Sequence, residues 1–236
     1  MAVGGFVQGL AGFGLALLVT PVLALVLPVK ETIPITAICG SAMNVLIVLT
    51  LLRHVRWKPA LALGASAAPG VLIGARVLRG VPPALIVGSL GVILIALALF
   101  HLCEGNVPQW LRGKWLTVAS GFLSGAIGAA TGAPGPPLIA YLRLQAWDVR
   151  ERKAVMNVFF SIQALFVIPA YLHAGLINHG VLAASKLALP SVLAGVAAGM
   201  TAAHLLHGKG RIVQRIIDWV ILALGFVTLA NAFGLL

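Results

Sequence analysis

Acidic side chains are nearly missing from this chain: 5 Asp and Glu stand against 16 Lys and Arg in 236 residues. Charged residues of either sign make up 9% of it. A soluble domain carries about a quarter, so this composition cannot clothe a surface in water. Cysteine is limited to Cys39 and Cys103, in different apolar stretches with no His or Cys beside them. That excludes a disulfide framework, a CxxC redox motif and a zinc site built on local spacing. No HExxH, Asp-rich motif or Ser/His/Asp set is present, which argues against an intramembrane enzyme and points to no cofactor. The basic residues fall in short clusters rather than one contiguous run, so nucleic acid is not an expected partner.

What remains is apolar. The chain is 61% hydrophobic with a mean hydropathy of +1.08. Its runs are long enough to cross a bilayer, which takes about 20 residues. The reading is an all-α polytopic membrane protein embedded in the lipid bilayer. The first run lacks a basic leader region and a cleavage motif, so it is expected to be retained as a span.

Charges divide the sequence into eight segments, at about 2–28, 32–52, 59–75, 82–102, 115–142, 154–172, 180–206 and 212–236. The polar stretch 105–114 separates an N-terminal half, 1–104, from a C-terminal half, 115–236. The halves are related. Gly5, Phe6, Gly9, Gly12 and Pro21 align without a gap on Gly121, Phe122, Gly125, Gly128 and Pro137. Met43-Asn44 answers Met156-Asn157, and Pro69 with Gly74 answers Pro190 with Gly195. Two related halves are a common plan for transporters.

The first segment of each half is unusual. It is longer than one crossing needs, loaded with Gly and interrupted by Pro. Proline removes a backbone donor and clashes with the preceding turn. Non-helical backbone at membrane depth survives only inside protein or beside a watered cavity. Each of these segments is expected to be a broken or re-entrant helix. If all eight segments span, the halves run parallel; if the first of each is re-entrant, they are inverted. With eight spans, loops after odd-numbered segments hold 10 Lys and Arg and those after even-numbered ones 6, which puts the termini outside.

The paired segments Gly5 to Pro21 and Gly121 to Pro137, and above all Gly9-Leu10-Ala11-Gly12-Phe13-Gly14, resemble those of the TauE/SafE family of sulfite exporters. The resemblance runs over nearly the whole chain. It departs where the family often has a Gly-Gly pair, here Phe13-Gly14 and Ala129-Ala130. It implies a multi-pass permease of a bacterial inner (plasma) membrane that exports a small anion: sulfite, an organosulfonate, or a related sulfur or carboxylate species. An anion channel is the alternative. A homodimer remains open.

An anion in a bilayer must meet donors or positive charge. A broken helix offers free N–H groups and a positive dipole end. The backbone candidates are Gly9, Gly12, Gly14, Gly125, Gly128 and Gly132, for which close helix packing is the competing role. The side-chain candidates are Gln8 and its counterpart Ser124, Thr131, then Ser41 and Asn44, and on the matching helix Asn157, Ser161 and Gln163. Lys186 is the one cation well inside an apolar run, and snorkelling to the headgroups competes with a role in attracting anions. All five acids are expected in or near loops. Thr131 to Pro137 looks more disrupted than Leu15 to Pro21, so the second copy is expected to dominate binding.

Overall fold

The computed structural model describes residues 1–102, 113–205 and 210–234. Ten α-helices run in order: α1 Ala2–Ala11, α2 Leu15–Leu23, α3 Val29–Leu51, α4 Trp57–Gly80, α5 Pro83–Leu102, α6 Lys114–Thr131, α7 Gly135–Leu144, α8 Val149–His173, α9 His179–Leu205 and α10 Gly210–Ala232. Most of the expected linker, together with Cys103, Glu104 and His207, lies outside the described residues.

Six helices, α3, α4, α5, α8, α9 and α10, are long and apolar enough to cross a membrane. The eight expected segments are therefore six long helices plus two pairs of short ones. Each pair is a hairpin. At its tip, Gly12 (φ 90°) ends α1 and Gly132 (φ 77°) ends α6, each returning its N–H four residues back, to Gln8 O and Gly128 O. A side chain in this left-handed conformation is strained, which is why glycine stands there. In the first hairpin, Gly4 lies against Val19 and Gly14 against Val7, so α2 returns along α1. In the second, Thr117 Oγ1 donates to Tyr141 Oη at 3.1 Å and Gly128 lies against Pro134.

Both breaks have the same length, contrary to the expectation that the second is the more disrupted. Pro136 and Pro137 fall in the first turn of α7. Prolines are tolerated there because those N–H groups would have no intrahelical acceptor anyway.

The hairpins are gripped by glycine pairs spaced four apart. A Cβ at Gly5 or Gly9 would fall on Val192 O or Val196 O of α9, and one at Gly195 or Gly199 on Ala2 O or Phe6 O of α1. The second hairpin repeats this against α4: Gly121 and Gly125 meet Leu63 O and Ala67 O, while Gly70 and Gly74 meet Phe122 O and Ala126 O. Residue numbers rise together in both interfaces, so α1 runs parallel to α9 and α6 parallel to α4. In this register Gly70 corresponds to Gly199. The expected echo of Pro69 and Gly74 in Pro190 and Gly195 is therefore out of step by about two turns. By contrast α5 and α10 run antiparallel, with Gly88 near Ala232 and Gly225 near Ile95.

One acid differs from expectation: Asp218 is buried inside α10 rather than lying at a loop. Lys186, inside α9, is exposed, in keeping with snorkelling towards the headgroups. Glu151 behaves as expected, forming a capping box with Asp148 at the start of α8 and an ion pair with Arg56 at 2.8 Å.

Candidate functional site

The tips of the two hairpins meet α3 and α8 around a cavity of ≈ 90 Å³. A buried water occupies about 10–15 Å³ on this measure, so the space admits several water-sized groups. Among the described residues, no ionised side chain lines it.

Its wall on the first hairpin is the start of α2. Leu15 N–H is already taken by Gln8 Oε1 at 3.0 Å. The first-turn amides of Ala16 and Leu17 have no intrahelical acceptor, and both residues line the cavity. Gln8 also donates from Nε2 to Asn44 Oδ1 at 2.9 Å, tying α1 and α2 to α3. That bond orients the Asn44 amide by using its oxygen, and leaves the Asn44 nitrogen as a donor. The arrangement suits a negative group: N–H donors and a positive helix end beside a space lined, among the described residues, by no ionised side chain.

The second hairpin contributes differently. Pro136 and Pro137 carry no N–H, so the first turn of α7 offers only the Gly135 amide among its three opening residues. By this count the first copy is the richer source of backbone donors. On α8, Gln163 Nε2 donates to Ser124 O at 3.3 Å and Tyr171 Oη to Ala129 O at 2.8 Å. Both residues line the cavity.

The expected site residues divide into two groups. Gln8, Gly14, Ser41, Asn44, Gly128, Gly132 and Gln163 line the cavity. Gly9 and Gly125 instead pack against α9 and α4, and Gly12 forms the turn. Thr131 Oγ1 donates to Ile127 O and Ser161 Oγ to Asn157 O, so both hydroxyls serve their own helix. Ser124 is fully buried with its hydroxyl unpaired, and Asn157 Nδ2 donates to Gly12 O at 3.1 Å. None of these seven lines the cavity.

Thr36, Tyr171 and Phe13 line it without having been anticipated. Thr36 was the most accessible from sequence, being a hydroxyl two turns before Asn44 on the same helix. Lys153 was the least. It donates to Gly9 O at 2.6 Å and Leu10 O at 3.3 Å, across 144 and 143 residues.

The family described as sulfite exporter TauE/SafE matches residues 1–228 of the chain. No curated protein matches, and no solved structure does.

Proposed function

The chain belongs to the sulfite exporter TauE/SafE family, and from that premise we propose that it exports a small sulfur-containing anion through the cavity between its hairpin tips. The observation that carries this reading is the cavity's chemistry. Ala16, Leu17, Asn44 and Gln163, each carrying amide donors, line a space on which no ionised side chain opens among the described residues. Sulfite or a sulfonate presents several acceptor oxygens on one centre and can use such donors together. Carboxylates share the chemistry but are planar.

In this reading the six long helices cross a bacterial inner membrane and the two hairpins are re-entrant. Consecutive long helices alternate in direction, so the antiparallel α5 and α10 make α4 antiparallel to α9 as well. Since α6 follows α4 and α1 follows α9, the hairpins enter from opposite faces and the halves are inverted. The charge count supports it. Among the described residues, Arg53, Arg56, Lys58, Lys114, Arg143, Arg150, Arg152, Lys153, Arg211 and Arg215 then share one face, leaving Lys30, Arg76, Arg79 and Lys186. The richer face is cytoplasmic by the positive-inside bias, with both termini outside. This division of the described basic residues, ten against four, is sharper than the one expected from eight spans.

Export needs no coupling ion in this scheme. With the cytoplasm negative, each leaving charge gains about 2.3 kcal/mol per 100 mV. A ligand that binds only the folded state raises its melting temperature. Purified protein tested with sulfite, sulfate, thiosulfate, sulfonates and carboxylates is expected to shift with sulfite or a sulfonate. No shift with any of them would refute the proposed substrate class.

A further inference from the structure

The carbonyl end of α1 is closed by α8. The last turn of a helix leaves four carbonyls without intrahelical partners. Here Gln8 O accepts from Gly12 N–H at 2.7 Å, and Gly9 O and Leu10 O accept from Lys153 Nζ. A Cβ at Gly12 would strike the Lys153 stem, so this glycine also clears the lysine's path. One turn along α8, Asn157 Nδ2 donates to Gly12 O and to Lys153 O at 2.8 Å. Two carbonyl acceptors fix that amide's orientation. Its Oδ1 is left fully buried with no hydrogen-bond partner. The other hairpin has neutral caps at the equivalent place: Ala129 O accepts from Tyr171 Oη and Gly128 O from Gly132 N–H.

A helix C-terminus carries roughly half a negative charge, and this one lies beside the α2 amides assigned to the anion. Left bare, it would oppose anion binding. In transporters built on broken helices, such carbonyl ends coordinate the coupling cation. We propose that Lys153 is a tethered cation. Its ammonium fills a site made by the Gly9 and Leu10 carbonyl oxygens that would otherwise take a free monovalent cation, and so lets the cavity hold an anion without one. The second half of this statement rests on the cavity being an anion site; the first does not.

The test separates the two. Melting temperatures of wild type, Lys153→Ala and Lys153→Met are measured without any anion, in sodium, methylammonium or choline chloride. Wild type is expected to be indifferent to the cation. Lys153→Ala is expected to gain about 2–4 °C in sodium or methylammonium over choline, and Lys153→Met, whose apolar stem keeps the space filled, to gain nothing. A Lys153→Ala protein indifferent to the cation overturns the tethered-cation site. Sulfite binding is then measured in choline. Both variants are expected to bind about tenfold more weakly than wild type, the scale of one partly buried charge at a helix end. If Lys153→Ala does not fold, Lys153→Met carries the test, and wild-type binding by it overturns the proposal. A wild type that binds no sulfite refutes the anion site instead, and leaves the cation test standing.

Discussion

Gln8 and Asn44 are joined by a 2.9 Å hydrogen bond that links the first hairpin to α3, while the same Gln8 amide accepts from Leu15 N–H. One side chain thus fixes three pieces of the cavity wall. Gln8→Ala is expected to lower stability by about 1–3 kcal/mol, the cost of leaving buried polar partners unsatisfied. It should also weaken anion binding, because Asn44 loses the contact that orients it. Thermal unfolding with and without sulfite reads both effects. Unchanged stability would show that the bond contributes nothing.

The repeated glycines should separate by role. Gly9→Leu and Gly125→Leu insert a side chain against backbone of α9 and α4, so both are expected to abolish folded protein in a size-exclusion assay. Gly132→Ala places its Cβ tightly, 3.2 Å from the Thr20 hydroxyl, which must give slightly, and keeps a positive φ. It is expected to fold with a loss of about 1–2 kcal/mol. Folded, transport-competent Gly9→Leu would contradict the packing role.

The inverted arrangement predicts labelling from opposite faces. In a cysteine-free background, single cysteines at Arg53 and Trp147 should react only from the cytoplasmic side. Cysteines at Val81 and His179 should react only from the outside. Impermeant thiol labelling of oriented vesicles reads this. Arg53 and Val81 reacting from the same face would contradict the six-crossing scheme.

Asp218 is the acid buried inside a long helix, so it is the natural suspect for proton coupling. Potential-driven export predicts that Asp218→Asn leaves flux under a clamped potential unchanged within about twofold, and creates no new dependence on a pH gradient. A wild-type flux that follows the pH gradient and is lost in Asp218→Asn would replace that mechanism with proton coupling.

The sequence made some of this readable and hid the rest for physical reasons. Segment boundaries followed from charge, and the two breaks from Gly and Pro, because backbone requirements at Gly12 and Gly132 are local. Whether the broken segment crosses or turns back was not local. It depends on Gly4 meeting Val19 and Thr117 meeting Tyr141, contacts that no spacing rule encodes. Gly9 and Gly14 carry the same residue type, yet one packs and the other lines the cavity; only the neighbouring helix distinguishes them. Proline had the opposite effect. Pro136 and Pro137 looked like disruption, but at the start of α7 they remove donors without breaking the helix. Lys153 read as a loop charge because its partners lie on the far half of the chain.

Sulfite efflux from proteoliposomes under a fixed potential decides whether the hairpin-tip cavity carries a small sulfur anion. Wild-type efflux is expected to saturate with concentration. Asn44→Leu and Gln163→Leu, which remove cavity donors, are each expected to raise the half-saturating concentration by about tenfold, the scale of one hydrogen bond to a charged group. Sulfite efflux equal in wild type and both folded variants, or no saturable efflux at all, would contradict the account.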